Sequence, residues 1–292
     1  MTLSRLLLCT DLDRTLIPNG PQPESVQARG YLKLLISRPE VTLVFVSGRD
    51  RSLVEQAITT FQLPCPDYVI GDVGTSIYRV GPKQEWSPMG SWERQIAVDW
   101  GGKSATELKI MLNDIEALHP QESSKQNRFK LSFYVALEQD TVGLSTMIRQ
   151  RMESAGIQAR LIWSIDEIEN IGLLDVLPLR ASKLHAIENL MEQQGFDLDN
   201  TVFCGDSGND MEVLISRVPA VLVANAHEDI RCRAIKLARR SGTDKQLYIA
   251  SGDFLNMNGN YGAGMLEGVV HYYPETLTWF TQPDDVSNRI VL

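Results

Sequence analysis

Four apolar residues without alternation, Leu6-Leu7-Leu8-Cys9, run almost directly into Asp11-Leu12-Asp13-Arg14-Thr15. A strand that is apolar on both faces must be covered on both faces, and such strands belong to parallel sheets with helices on either side. Where this strand gives way to a loop, both carboxylates can turn toward one site. That arrangement suits one carboxylate as nucleophile, a second as acid/base, and a hard divalent cation held between them. Asp pairs are also common in turns, so the pattern gains weight only from partners elsewhere in the chain.

The same rhythm recurs at both ends of the sequence. Candidate strands are Arg5–Thr10, Thr42–Val46, Asp67–Ile70, Thr201–Cys204, Ala220–Ala224 and Gln246–Ala250. Candidate helices lie between them, at Glu24–Ser37, Ser52–Thr60, Ser182–Gln194, Met211–Ser216 and His227–Ala238. The clearest has Ser182 as N-cap and Gly195 as its stop. The middle differs. After Gly81-Pro82 comes a Pro/Gly/Trp-rich stretch, then a helix (Ala105–Leu118), a strand (Phe129–Leu137) and a second helix (Thr141–Ala155). Strands at Ala159–Ser164 and Gly172–Leu177 complete it, with the polar alternation of a sheet that keeps one open face. The expected fold is α/β: a Rossmann-like parallel-sheet core from residues 1–82 and 178–292, with an inserted α+β domain at 83–177.

The 292 residues are 43% hydrophobic and 22% charged, enough for a sizeable core. A formal net charge of −9, with no basic block, argues against nucleic acid as a partner. An acidic chain that binds an anion must build positive charge locally. Cys9, Cys65, Cys204 and Cys232 lack metal-ligand spacing, and Cys9 and Cys204 lie in strand-like runs where a buried, reduced thiol is expected. The N-terminal apolar run is too short for a signal peptide, and no run is long enough to span a membrane. The expectation is a cytoplasmic monomer with no membrane partner.

Partners for the aspartates appear downstream. Thr42–Val46 leads into Ser47-Gly48-Arg49, a hydroxyl and close backbone N–H groups suited to phosphate; alone, it would be a plain strand-to-helix turn. Lys183 opens a helix just after the insert and can neutralise phosphate and carboxylate, although most lysines are surface charges. Thr201–Cys204 leads into Gly205-Asp206-Ser207-Gly208-Asn209-Asp210, a tight loop rich in oxygen ligands. It lacks the terminal glutamate and helix-loop-helix setting of a calcium loop. All four lie at or just after the C-terminal ends of expected parallel strands, where open α/β sheets bind ligands.

The order Asp11-x-Asp13-x-Thr15, Ser47, Lys183 and Gly205-Asp206-x-x-x-Asp210 resembles the haloacid dehalogenase superfamily of phosphohydrolases. The insert resembles the cap of its Cof-like, sugar-phosphate branch, and within that branch the chain is most similar to sucrose-phosphate phosphatases. Segments carrying the finer likeness are Asp72–Tyr78, Phe129–Tyr134, Leu174–Pro178, Ala224–Glu228 and Gly262-Ala263-Gly264. Ser47 stands where many members carry threonine, and the hydroxyl is retained.

This resemblance implies Asp11 as nucleophile, Asp13 as proton carrier, and Ser47 and Lys183 as the remaining catalytic groups. It implies Mg²⁺ held by Asp11, Asp206 and the Asp13 carbonyl, with Asp210 supporting the metal shell. Gly48, Arg49 and Asn209 would hold the phosphoryl group, and Thr15 would steady the loop or Asp13. Asn127, Lys130 and Arg180 are candidates for sugar contacts, each equally explicable as a surface residue. His185 and His227 fit helix or loop positions better than catalysis. The tryptophans near the insert's entry fit packing better than sugar stacking.

The implied activity is a Mg²⁺-dependent phosphatase of sucrose 6-phosphate, with a small-molecule sugar phosphate and a sugar-phosphate synthase as partners. Rival readings keep the chemistry and change the sugar, to trehalose phosphate, mannosyl-phosphoglycerate or a hexose phosphate. Another removes the chemistry, leaving a non-catalytic domain. The intact set Asp11, Asp13, Lys183, Asp206 and Asp210 argues against that last reading.

Overall fold

The computed structural model describes residues 3–166 and 169–280. The last part of the expected core, 281–292, and residues 167–168 of the insert lie outside the described residues. The chain opens with β1 (Leu6–Thr10), α1 (Ala28–Ile36), β2 (Val41–Val46), α2 (Arg51–Phe61) and β3 (Tyr68–Gly71). A hairpin follows, β4 (Ser76–Val80) and β5 (Trp86–Pro88), then α3 (Gly90–Ala97) and α4 (Ala105–Met111). The insert's sheet comprises β6 (His119–Pro120), β7 (Leu131–Val135), β8 (Ala159–Asp166) and β9 (Ile171–Pro178), with α5 (Thr141–Ser154) between β7 and β8. The chain then returns through α6 (Lys183–Gln194), β10 (Thr201–Gly205), α7 (Met211–Leu214) and β11 (Ala220–Leu222). It closes with α8 (Glu228–Ser241), β12 (Leu247–Ile249) and α9 (Gly262–Tyr272).

Eight strands form the main sheet in the order β12-β11-β10-β1-β2-β3-β4-β5. The first six pair in parallel, and β4 and β5 extend the sheet antiparallel. β1 lies at the middle with every residue buried, as its unbroken apolar run requires. Leu7 and Cys9 join one apolar layer and Leu6 and Leu8 the other, so each face of the strand has its own cover. Both Cys9 and Cys204 are buried free thiols whose pKa burial pushes up.

The second sheet, β6-β7-β9-β8, is antiparallel. Leu131, Phe133 and Val135 of β7 pack with Leu108, Leu144, Ile148 and Met152 of the helices, while on the opposite face Ser132 is buried against Asp175 and the Lys125 carbonyl, and Tyr134 and Asp175 are half-buried.

Several boundaries differ from expectation. β5 belongs to the main sheet, so an insert starting at 83 would cut the β4–β5 hairpin. α1 starts at Ala28 rather than Glu24, because Pro21 and Pro23 sit in a loop held by Asn258 and Asn260 through the Pro23 carbonyl. α4 stops at Met111, whose carbonyl accepts from Arg151 at 2.9 Å instead of continuing the ladder to Leu118. α8 runs on to Ser241, where left-handed Gly242 ends it. The glycine-rich 262–264 segment starts α9, a helix absent from the expected elements. A Cβ at Gly262 would meet Leu32 at 2.3 Å and one at Gly268 would meet Val221 at 2.2 Å, so glycine permits close helix packing.

Candidate active site

The C-terminal ends of β1, β2 and β10 lie side by side, and each hands its loop to one site. The Asp11 N–H donates to the Cys204 carbonyl at 2.8 Å, carrying the β1–β10 ladder one residue past the strand. This fixes the Asp11 backbone and leaves its side chain free to turn into the crevice.

Lys183 comes from the N-terminal turn of α6, where Ser182 caps the helix by accepting from the His185 N–H. Its Nζ donates to Asp11 Oδ1 at 2.8 Å, to Asp210 Oδ1 at 2.7 Å and to Asn209 Oδ1 at 3.1 Å. Asp210 Oδ2 accepts from the backbone N–H groups of Asp206 and Ser207, both at 3.1 Å, and so closes the Gly205–Asp210 loop on itself. Thr15 Oγ donates to Asp206 Oδ1 at 3.4 Å. One carboxylate oxygen from each of Asp11, Asp206 and Asp210 falls within 4.8 Å of the others, and all three residues are buried.

Burial sets the charge states. It pushes Asp11 up, against the pull of Lys183, with Asp210 and Asp206 adding repulsion. Asp206 is pushed up to about 6 by burial and by Asp210, against Arg14, Lys183 and the Thr15 hydroxyl. Burial also opposes the charge on Lys183, but the carboxylates of Asp11 and Asp210 overcome it and hold the ammonium protonated. Around the crevice stand Asp11, Asp13, Asp206 and Asp210, balanced by Lys183, Arg14 and Arg49. Buried carboxylate oxygens within reach of one another and a surplus of negative charge are the donor set a hard divalent cation fits.

The Asp13 carboxylate does not join the three. Arg49 grips it with two bonds of 2.7 Å, from Nε to Oδ2 and from Nη2 to Oδ1, and Asn19 Nδ2 donates to Oδ1 at 2.8 Å. Burial works to raise its pKa, but these bonds and the Arg49 charge hold Asp13 below the usual carboxylate range. Arg49, expected on substrate, therefore spends its guanidinium on Asp13. Ser47 is buried beside it, its Oγ accepting from the Arg49 N–H at 3.2 Å. Gly48 lies next to Val73 with no side chain in the way.

The residues expected to touch sugar have partners within the chain. Lys130 is buried 3.7 Å from Asp72, and Asn127 Nδ2 donates to Thr75 Oγ at 2.9 Å. Both join the insert to the loop after β3. Arg180 lies on the returning linker, where its N–H donates to buried Asp99 at 2.7 Å and its guanidinium remains largely exposed.

Sequence reasoning missed three residues that shape the site. Arg14 adopts left-handed φ 57°, with its N–H on Asn19 Oδ1 and its carbonyl on Asn225 Nδ2 at 2.7 Å. Its Nε reaches within 3.4 Å of Asp206 Oδ2. Asn225 also accepts from the Tyr261 N–H at 2.7 Å, tying the loop after β1 to the start of α9. Asp72 is the third, with φ 50°, in the loop that packs under Lys183. The Asn225 segment stood out in the sequence, but no local pattern there tells which loop the asparagine would reach.

The family model of sucrose-6F-phosphate phosphohydrolases matches residues 4–273. A HAD-like hydrolase of Nitrosococcus oceani is 50% identical over 94% of the chain and 74% of its own length. Sucrose-phosphatase 1 of Nicotiana tabacum is 30% identical over 98% of the chain, which spans 62% of the tobacco protein. Mannosylfructose-phosphate phosphatase of Agrobacterium fabrum is 27% identical, with 91% of this chain and 96% of that protein aligned. Among solved structures, the sucrose-phosphatase of Synechocystis sp. PCC6803, in complex with sucrose and phosphate, superposes with a TM-score of 0.70 at 24% identity. That likeness covers 92% of this chain and 98% of the Synechocystis chain, and it shows the shared fold.

Proposed function

The chain belongs to the sucrose-6F-phosphate phosphohydrolase family of haloacid dehalogenase phosphoric monoester hydrolases, and we propose that it dephosphorylates sucrose 6-phosphate through an aspartyl-phosphate. The observation that carries the chemistry is the buried triad of Asp11, Lys183 and Asp210, in which one ammonium bridges two carboxylates. Asp11 has the strand-end position of a nucleophile, and Lys183 holds its attacking oxygen in place. Asp11, Asp206 and Asp210 are the residues to hold Mg²⁺, together with the Asp13 carbonyl. Bound there, the ion offsets repulsion between the carboxylates and a phosphate dianion.

Asp11 attacks phosphorus, the bond from phosphorus to the sugar oxygen breaks, and Asp13, protonated from solvent once Arg49 releases it, passes that proton to the departing oxygen. Asp13 then takes a proton from water, whose oxygen attacks the phosphoryl group and frees Asp11. Arg49 must release Asp13 before it can carry that proton, and the phosphoryl oxygens, arriving beside Ser47 and Gly48, offer Arg49 a competing partner. Lys183 and Asn209 complete the cradle as charge spreads over the transferring group.

The insert, tied to the loop after β3 by Lys130 and Asn127, acts as a cap that excludes water and reads the sugar. The Agrobacterium relative favours one alternative, a phosphorylated mannosylfructose in place of sucrose 6-phosphate.

Phosphate release from sucrose 6-phosphate, phosphorylated mannosylfructose, trehalose 6-phosphate and hexose phosphates tests the reading, with and without Mg²⁺ and with Asp11→Asn as control. Turnover of a disaccharide phosphate, dependent on metal and lost in the variant, is the expected result. Inactivity on every compound with metal present rejects the mechanism, and equal turnover of hexose phosphates rejects the substrate.

A further inference from the structure

The insert meets the core through a second charged contact besides Lys130–Asp72. Arg160, on β8, forms a two-pronged ion pair with Glu212 of α7: Nη1 donates to Oε2 at 2.7 Å and Nη2 to Oε1 at 3.2 Å. Both side chains are partly buried, and Arg160 Nε also donates to the Leu179 carbonyl on the returning linker at 3.2 Å. Leu131 and Leu161 face the same residue, Val176 of β9, so Lys130 and Arg160 stand at one level of the sheet. Leu177, paired with Arg160 and buried, lies between them. The base of the insert thus presents two cations in a row, one seated on the loop after β3 and the other on the helix after β10.

Glu212 has a particular position. It follows Asp210 by two residues, in the first turn of the short helix that continues the Asp206–Asp210 loop. His185 Nδ1, on the same helix as Lys183, stands 4.0 Å from Glu212 Oε1 and 2.9 Å from Ser182 Oγ. A bidentate guanidinium–carboxylate pair fixes orientation as well as distance. This pair therefore fixes the insert's sheet against the catalytic loop.

We propose that Arg160 and Glu212 form a positioning latch that sets how often the insert is seated over the active site. Neither residue touches the reacting groups. The latch acts on substrates large enough to bridge insert and core, and this part rests on the phosphatase reading above. Its existence as a mechanical link does not.

Two measurements on the full chain test it. In the first, hydrogen exchange is followed without substrate in Glu212→Gln, Arg160→Glu, Glu212→Arg and the double charge swap. Exchange in residues 98–104, between α3 and α4, and in the returning linker at 178–182 should quicken about fivefold in the singles, a modest coupling between sites, and return toward the native rate in the swap. In the second, KM for the disaccharide phosphate should rise by a similar factor in the singles, with p-nitrophenyl phosphate turnover held within about twofold. The swap should restore KM. Unchanged linker exchange in all variants overturns the latch, whatever the substrate proves to be. Losses in the swap that equal the sum of the singles overturn it too, as would equal damage to both substrates.

Discussion

Lys183 and Asp11 lie 172 residues apart in sequence, yet Nζ donates to Oδ1 at 2.8 Å with both side chains buried. The same ammonium reaches Asp210, so one cation serves two buried carboxylates. Lys183→Met should therefore damage more than catalysis. Removing one partner of a buried charge cluster leaves the others uncompensated, at a cost of about 3–5 kcal/mol. Denaturant unfolding in EDTA should show that loss, and added Mg²⁺ should recover part of it through binding to the folded state. An unchanged midpoint in EDTA would mean that Lys183 is not needed to balance the pair.

Asp206 makes stability depend on pH in a direction opposite to that of a salt-bridged carboxylate. Burial and Asp210 push its carboxyl up to about 6 in the folded chain, from about 3.9 when unfolded. The folded state binds the proton more tightly, so this contribution is fully present below the unfolded value and is lost as pH rises through about 6. Asp11 and Asp72, also pushed up mainly by burial, act with the same sign. In EDTA, the thermal midpoint of wild type relative to Asp206→Asn should therefore fall as pH is raised from about 5 to about 7. With Mg²⁺ the trend should reverse, because protons compete with the ion for the same oxygens. A flat difference in EDTA would refute the raised carboxyl.

Asp13→Asn separates proton transfer from nucleophilic attack. The amide keeps the shape but cannot pass a proton, and Arg49 loses its anionic partner. Turnover of the sugar phosphate should drop about 10²–10⁴-fold, the usual contribution of a positioned acid/base. The drop should be smaller for formation of the phospho-enzyme from p-nitrophenyl phosphate, whose leaving group departs without a proton. Equal losses in single-turnover release of the two leaving groups would remove Asp13 from the acid role.

Gly74 marks where the loop after β3 abuts the start of α6 at Ser182 and Lys183. Its φ is +96°, and a Cβ there would lie 2.3 Å from the Ser182 carbonyl carbon and 2.8 Å from the Lys183 nitrogen. Gly74→Ala should strain the backbone and push against the start of α6, costing more than about 1 kcal/mol. The measurable signature is a lower thermal midpoint together with reduced turnover. A variant with native midpoint and native turnover would show that the contact yields without moving Lys183.

The sequence by itself determined the sheet and the chemistry placed at its edge. Leu6–Cys9 had to be buried on both faces, and a parallel strand in that setting carries its functional loop at its C-terminal end. Asp11, Asp206, Asp210 and Lys183 were legible because each follows an apolar run or opens a well-capped helix, signals that are local. Tertiary structure decided what those residues do to one another. Arg49 clasping Asp13, Arg14 leaning on Asp206, and Asn225 bridging to Tyr261 join segments far apart in sequence. No periodicity or capping pattern encodes such pairings. The hairpin β4–β5 and helix α9 were hidden for a related reason: short strands and glycine-rich helices have weak local signatures, and they form here because neighbours supply a sheet edge and a close-packed surface.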